Sequence, residues 1–394
     1  MLGAGVFVVW GPALRAAGTL IVLAVVIAGV VAAVNALSSA QLAARYPEAG
    51  GAYAYGRAEI GPQWGFAAGV AFVVGKTASV AAVAFAVGHY TWEAHPAAVA
   101  TVAIIATWAL NARGVTRTAA VASAIGAMVL IGLAGVALAV LRAGPPATSE
   151  AVLAEASRAP RFGVLSAAAL VFFAFAGYAR IATLGEEVRN PTATIPLAIA
   201  LALASVGGLY LLIAQAFRAA WSEPLLAATG TPLRELAGQV QGGTAVVSFL
   251  APVAAVGALV ALMAGIGRTA MAMARNRDLP TVLARQDRAG VPWVAEGASA
   301  AAAIALVWWG DLTFAIATSA CSVLAYYAIA NVAAFRQSRA RRTASWRVPP
   351  AVSALGAASC LALAGALPTR AVLASGVVLG LALAVRATVR PRSG

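Results

Sequence analysis

One lysine stands in a chain whose other basic residues are all arginine. The 394 residues include 27 Lys and Arg, and the single lysine is Lys76, within the apolar run GVAFVVGKTASVAAVAF. A charge near the middle of an apolar helix is costly. Burial can neutralise a lysine, whereas an arginine stays charged. Lys76 therefore suits a group that carries a coupling proton or replaces a bound cation; the alternative is a structural lysine that caps carbonyls of a broken helix.

Other candidates for acid–base or metal chemistry are sparse. The two histidines, His89 and His95, are predicted near the outer end of one helix and its loop, with Glu93 as a weak partner. Cys321 and Cys360 fall within apolar runs, where a thiol behaves as a small buried hydrophobe. These residues predict no nucleophile–base pair, disulfide framework, metal site or cofactor, so we do not expect an enzyme.

The composition is typical of a multispanning membrane protein. Hydrophobic residues make up 62% of the chain and charged residues only 10%, and the mean hydropathy is +0.88. A bilayer core about 30 Å thick needs roughly 20 apolar residues per helix, and such runs recur along nearly the whole chain. The net charge of +14 sits at the ends of these runs, without a basic face interleaved with aromatics, so no nucleic-acid role is expected.

Apolar runs predict an all-α membrane protein with eleven helices after a short initial fragment that ends near Ala13. The helices are predicted near 19–44, 64–90, 96–111, 118–141, 163–185, 195–217, 244–274, 292–309, 312–335, 350–367 and 370–386. Pro and Gly end several of them, as in RYPEAGGAY and EVRNPTATIP.

The arginines predict which loops face the cytoplasm. One set of alternate connections, together with the C-terminal tail, carries seventeen arginines. The other set carries seven: Arg15, Arg142, Arg158, Arg161, Arg218, Arg234 and Arg370. Because cytoplasmic loops are enriched in Lys and Arg, the first set and the C-terminus are predicted to be cytoplasmic. The expected location is the cytoplasmic membrane, as a multi-pass protein.

The first residues, MLGAGVFVVWGP, lack the basic region of a signal peptide. A predicted outside loop at Arg15 requires the fragment before it to run outward from mid-membrane. We therefore expect GAGVF to be the middle of a spanning segment. Its cytoplasmic half is then either encoded upstream or absent from a shortened variant.

A second irregular stretch lies five predicted helices later. In LVFFAFAGYARIATLGEEVRNP, Ala176 and Gly177 interrupt an apolar run. Glycine-weakened segments at matched positions of two halves indicate a transporter site at the bilayer midplane, built from inverted repeats. The alternative is that these glycines only permit close helix packing.

The two predicted breaks expose backbone groups that suit both ends of a zwitterion. At the first break, unpaired amides at the positive end of a half-helix suit a carboxylate. These are the amides of Ala4, Gly5 and Val6, directly after Gly3. At the second break, unpaired carbonyls suit an ammonium, and they lie near Phe173, Phe175 and Ala176. The pattern therefore predicts a site for a small dipolar solute.

Several stretches resemble the bacterial amino acid permeases of the amino acid-polyamine-organocation superfamily. They are GAGVF followed by GP, YPEAGGAYAYGRAEIGPQWGF, NARGV, FFAFAGYARIATLGEEVRNPTATIP and GRTAMAMARNRDLP. The resemblance implies the leucine-transporter-like fold of twelve helices, with the first and sixth unwound and the first truncated here, so that about 11.5 are present. It implies a first inverted repeat over 1–143, a second over 163–335, and two further helices with a cytoplasmic tail over 346–394.

The resemblance also implies roles for individual residues. The substrate carboxylate would meet the backbone at Ala4 and Gly5, and its amino group would meet carbonyls around Phe175 and Ala176. Phe7 and Tyr178 would flank the site, and Tyr178 would contribute to a gate. Proton-coupled relatives place a lysine in the fifth helix, but the corresponding run TAAVASAIGAMVLIGL has none.

Three further charges are candidates for gating. Arg180 and Glu187 are seven residues apart, so on a helix they would share one face and form a gating ion pair or remain solvated helix-end charges. Arg268 is expected to lock the inner end of the bundle to a neighbouring carbonyl or carboxylate. Glu296, near a helix end, is the nearest acidic candidate to Lys76.

These observations predict a secondary active transporter of amino acids that works by alternating access. Because Lys76 would repel a second cation at low dielectric, we expect proton-coupled uptake or exchange of neutral or acidic amino acids. The alternatives are an amino acid/amine exchanger, an uncoupled exporter or channel of the same fold, or an inactive truncated product. The predicted partners are the substrate, protons and the lipid bilayer, and the oligomeric state is left open.

Overall fold

A computed structural model describes residues 3–46, 50–114, 119–144, 161–177, 191–220, 230–288, 290–340 and 347–389. Within these ranges the regular structure is helical and includes no β-strand, in agreement with the predicted all-α class. The α-helices, numbered in chain order, are α1 (Gly5–Val8), α2 (Trp10–Ala17), α3 (Ile21–Arg45), α4 (Ala52–Glu59), α5 (Pro62–Thr91), α6 (Pro96–Ala112), α7 (Ala119–Ala143), α8 (Arg161–Phe175), α9 (Pro191–Ala219), α10 (Pro232–Ala237), α11 (Gly243–Arg275), α12 (Trp293–Trp309), α13 (Leu312–Arg339), α14 (Pro350–Gly365) and α15 (Thr369–Val389).

Each of the eleven predicted helices has a counterpart, and the ends mostly differ by a few residues. The largest difference is in the helix predicted near 163–185, because α8 ends at Phe175 and a turn follows at Ala176 and Gly177. Apolar composition continues past this point, but a glycine at the turn allows the chain to leave the helix. The turn falls at the interruption predicted for Ala176 and Gly177, and residues 178–185 of the predicted helix lie outside the described residues.

Seven helices in the described ranges are long and apolar enough to cross a membrane, as judged by length and composition. Four shorter apolar helices lie among them: Pro96–Ala112, Gly163–Phe175, Trp293–Trp309 and Pro350–Gly365. Exposed tryptophan side chains mark several helix ends, at Trp64, Trp92, Trp293 and Trp308. Tryptophan at such positions is typical of the membrane–water interface, so the arrangement fits a multi-pass membrane protein.

Helices α5 and α13 form the centre of the bundle. In each of them 78% of an 18-residue apolar stretch is buried inside the protein, against at most 44% in the other candidate membrane spans. Polar side chains join the central helices: Ser79 of α5 lies 2.7 Å from Ser319 of α13, and the amide of Asn331 donates to Asn35 of α3 at 2.6 Å. Hydrogen bonds between helices stabilise bundles that no hydrophobic force holds together in lipid.

Helix α8 packs against α2 and α3, and α1 packs against both α5 and α8. The start of the predicted second repeat therefore lies against the start of the first. The division into repeats over 1–143 and 163–335, with a further unit over 346–394, stays a prediction.

Candidate functional site

The first segment of the candidate site begins at the start of the described chain. Gly5 is the first residue of α1, and Ala4 occupies the N-cap position, where no side chain caps the helix. The first amides of a helix have no partner within it. Ala4 and Val6 are fully buried, so the amides at the start of α1 lie inside the molecule, whereas the Phe7 amide already donates to the Ala4 carbonyl at 3.0 Å. Gly3, just before them, lies against Ala258 of α11.

The second segment is the end of α8. Its last residues are almost completely buried, with exposed fractions of 8% at Phe173, 1% at Phe175 and 3% at Ala176. The amide of Ala176 donates to the Phe172 carbonyl at 3.1 Å, and the chain then turns at Gly177. Carbonyls at a helix end are not used by the helix itself, so this turn presents acceptors within the core.

The two segments touch at Gly5. A Cβ atom added at Gly5 would lie 3.0 Å from the Cα atom and 3.3 Å from the Cβ atom of Ala174. Such distances leave little room for a side chain, so glycine allows α1 and α8 to approach backbone to backbone. The structure thus brings the amides near residue 5 and the carbonyls near residue 176 into one region.

Lys76 lies near the middle of α5 and is 8% exposed. Its ammonium donates a hydrogen bond from Nζ to the Ala176 carbonyl at 3.4 Å. The sequence thus singled out a lysine that contacts the end of the second segment. This contact fits the proton-carrying, cation-replacing and carbonyl-capping hypotheses alike.

Two tyrosines that sequence reasoning missed hold the segments in place. The Tyr90 hydroxyl, from α5, donates to the Phe7 carbonyl at 3.1 Å, and the Tyr210 hydroxyl, from α9, donates to the Ala174 carbonyl at 3.2 Å. The Tyr210 ring also packs edge-on against Phe175, with centroids 4.9 Å apart. Neither tyrosine belongs to a motif, and only the crossing of the helices reveals its partner.

The gating candidates are placed differently. Tyr178, Arg180 and Glu187 lie outside the described residues. Arg268 is exposed on α11, close enough for its charge to act on Glu296. Glu296 is buried in the first turn of α12, where its carboxylate accepts from Asn111 of α6 at 3.0 Å.

An ion-pair cluster near the arginine-rich end was also missed. Asp278, which follows α11, has a fully buried side chain that pairs with Arg57 of α4 at 2.9 Å and with Arg386 of α15. Tyr53 of α4 donates to the same carboxylate at 2.8 Å. Burial, and to a smaller extent this hydrogen bond, raises the pKa of Tyr53 to about 12. The hydroxyl therefore keeps its proton and remains a donor.

The remaining candidates form no catalytic centre in the described residues. No group of three or more His, Cys, Asp or Glu side chains there could hold a metal ion. Cys321 and Cys360 are buried free thiols, and His89 packs against the Phe85 ring.

Comparison with known proteins places the chain in a family. The amino acid permease family model matches residues 1–391. An uncharacterized transporter of Mycobacterium tuberculosis is 46% identical over 392 residues, which are 98% of this chain and 87% of the relative. Cationic amino acid transporter 5 of Arabidopsis thaliana is 30% identical over 54% of this chain and 40% of its own length. The cadaverine/lysine antiporter of Escherichia coli is 27% identical over 64% of this chain and 59% of its own length. By these matches the chain belongs to the amino acid permease family and is a membrane transporter of amino acids rather than an enzyme.

Proposed function

We propose that this protein is a proton-coupled secondary transporter that moves neutral or acidic amino acids by alternating access. The observation that carries the proposal is the contact of the Lys76 ammonium with the Ala176 carbonyl, beside the close approach of Gly5 to Ala174. A positive charge that Lys76 can lose with its proton thereby lies on the carbonyl that would bind the substrate's ammonium.

In the proposed site the substrate lies between the two segments. Its carboxylate accepts from amides of the first segment, at Ala4, Gly5 and Val6, after Gly3. Its ammonium donates to carbonyls of the second segment, at Phe173, Phe175 and Ala176, with Gly177 allowing the turn. Phe7 and Tyr178 flank it. Each end of the zwitterion then meets the backbone partner of opposite partial charge.

Lys76 is proposed to couple transport to protons. A charged Lys76 holds the Ala176 carbonyl in place beside the substrate, and loss of its proton on the cytoplasmic side releases the substrate together with the proton. Arginine could not exchange its proton in this way. Arg180, Glu187 and Arg268 are proposed to gate the arginine-rich end, which we place in the cytoplasm together with the C-terminus.

The substrate preference follows from the charge of Lys76, since a second cation beside it would be repelled. The second candidate is a cationic amino acid or polyamine exchanger, because relatives that match half or more of this chain are named for cationic substrates. In that case Lys76 would have to leave the site as the substrate enters.

Uptake by purified protein in liposomes tests the proposal. We expect accumulation of labelled neutral or acidic amino acids against their gradient when the outside is acidic. Labelled lysine and cadaverine should accumulate at least about tenfold less, given the cost of a second like charge nearby. Uptake restricted to these cations would overturn the substrate class, and equilibration without accumulation would indicate a channel or uncoupled carrier.

Lys76 variants test the coupling. Lys76→Met removes the charge and the titrating group, so uptake should lose its pH dependence and its response to a proton gradient. Lys76→Arg keeps the charge but cannot release a proton, so uptake should stop while binding of the substrate to the charged site persists. Wild-type pH dependence in Lys76→Met would reject Lys76 as the proton carrier and leave it a structural cap.

A further inference from the structure

A short helix covers the arginine-poor end of the bundle. Helix α10 starts with Pro232, which suits the first helical position, and carries Glu235 in its first turn. Leu233, Leu236 and Ala237 are almost fully buried. Helix α10 packs against α1, α2, α7 and α11, so it lies directly over the first segment of the candidate site.

Arg234 attaches α10 to the end of α5. Its Nη2 atom donates to the Tyr90 carbonyl at 2.8 Å and to the His89 carbonyl at 3.4 Å. Its guanidinium carbon lies 5.0 Å from the centre of the Tyr90 ring, and Nη1 lies 3.7 Å from the Glu93 carboxylate. A cation at the C-terminal carbonyls of a helix is favourable, so Arg234 is held at several points.

The same tyrosine reaches the candidate site. The Tyr90 hydroxyl donates to the Phe7 carbonyl at 3.1 Å, and the two rings pack edge-on with centroids 5.8 Å apart. Arg234 in α10, Tyr90 in α5 and Phe7 in α1 therefore form one continuous series of contacts. Phe7 is two residues from Gly5, where α1 meets α8.

Buried polar atoms without partners favour a contact that breaks during function over a purely structural one. The Nε atom of Arg234 is buried without a hydrogen-bond partner in the described structure, and so is the Nδ1 atom of His89. Gly230, just before α10, leaves no room against His89, because an added Cβ would lie 2.6 Å from that Nδ1 atom. Buried polar groups without partners are costly in a permanent contact and are more readily explained if the interface opens to water.

We infer that Arg234 is a positioning residue for transport, which holds Tyr90 on the Phe7 carbonyl and thereby keeps the arginine-poor side of the site closed. Opening on that side requires Arg234 to release Tyr90 so that α1 and α10 can separate. This inference rests on the proposed alternating-access function. It assigns the control of one gate to a residue of the short helix α10, outside the substrate site.

Thiol labelling tests the inference without requiring transport. The two native cysteines are replaced by serine and a single cysteine is placed at Val9, which is fully buried between α1 and α2. A membrane-impermeant thiol reagent is added from the outside. Arg234→Met should speed labelling about tenfold, because it removes hydrogen bonds made by a charged group. Tyr90→Phe should act in the same direction, and the double variant should add little, because both break one series of contacts.

Matched variants separate gating from general damage. Arg218→Met removes the same charge from an exposed position near the same end and should leave labelling unchanged. Arg234→Lys keeps the charge without the planar set of guanidinium donors and should give an intermediate labelling rate. It is also the variant to test if Arg234→Met does not fold. Labelling at the parental rate in Arg234→Met or Arg234→Lys, or additive effects with Tyr90→Phe, would overturn the inference.

Transport kinetics provide a second readout. If Arg234→Met favours the open outer side, the apparent KM for outside substrate should fall together with Vmax. Loss of folded protein alone would lower Vmax and leave KM unchanged, and that result would also reject the inference. If the wild type transports no amino acid, the proposed function fails, while the labelling still tests the role of Arg234 in closing this end.

Discussion

At Gly5 the first segment lies within contact distance of the second segment's backbone, so any side chain added at this position would collide with α8. We expect Gly5→Ala to push α1 from α8, since the new Cβ would lie 3.0 Å from the Ala174 Cα. Uptake should fall about tenfold or more, because small displacements at a binding site are costly. The free energy of unfolding should fall by about 1–3 kcal/mol through overpacking. Initial uptake rates and melting curves in detergent measure both.

Gly126→Ala is the matched control for this change. Gly126 lies in α7, and nothing stands within 4 Å of an added Cβ there. Its uptake should equal that of the wild type, with stability unchanged or slightly raised, since alanine favours helix. Equal uptake by Gly5→Ala and Gly126→Ala would show that the close approach at Gly5 is not needed for transport.

Residue type alone singled out some residues of the candidate site but not others. Lys76 stood out because the chain uses arginine everywhere else, and the structure places it on the Ala176 carbonyl. Tyr90, near the end of α5, and Tyr210, within α9, carry no such signal, because single tyrosines in apolar helices are ordinary in membrane proteins. Their roles depend on which carbonyl lies opposite, and that is decided by how α5 and α9 cross the two segments.

Among the elements, α4, α15 and the end of α11 are joined at one buried carboxylate. Asp278→Asn would leave Arg57 and Arg386 beside a neutral group, so we expect a loss of about 1–3 kcal/mol in the free energy of unfolding. The melting temperature in detergent should fall accordingly. The loss is limited because the Arg57 side chain is 31% exposed and can be solvated once its partner is neutral.

Asp311→Asn is the control at this scale. Asp311 caps α13 by accepting from the Phe314 amide at 2.8 Å, and asparagine caps helices about equally well. Its melting temperature should stay close to that of the wild type. A fall of the same size in both variants would mean that the Asp278 cluster adds nothing specific to the packing of α4 and α15.

Most helices could be predicted because each needs a long apolar run, but the end of α8 shows the limit of that rule. The predicted helix runs past Phe175, whereas α8 ends there in a turn at Ala176 and Gly177, which contacts α5 through Lys76. Helix α10 has no counterpart among the eleven predicted helices. Its position over α1 comes from Leu233 and Leu236, which are too few to give a periodic signal.

At the scale of the whole molecule, the two ends of the bundle differ in charge. The arginine-rich end holds Arg57 and Arg386 around Asp278, whereas the arginine-poor end holds Arg234 around Tyr90. The proposed site lies between the two clusters. Alternating access then requires the contacts at one end to open while those at the other stay closed. The cluster at each end is therefore expected to stabilise the conformation in which that end is closed.

The orientation of the whole molecule can be tested with two single cysteines. In a background without Cys321 and Cys360, Asp311→Cys lies in the exposed connection between α12 and α13, and Ala340→Cys lies in the exposed turn after α13. Helix α13 is long enough to cross the bilayer, so the two positions should face opposite sides. Because arginine-rich loops stay in the cytoplasm, an impermeant reagent should label Asp311→Cys in intact cells and Ala340→Cys only after permeabilisation. The reverse pattern would show that the molecule has the opposite orientation and that Arg234 lies at the cytoplasmic gate. Labelling of both cysteines in intact cells would mean that α13 does not cross the membrane.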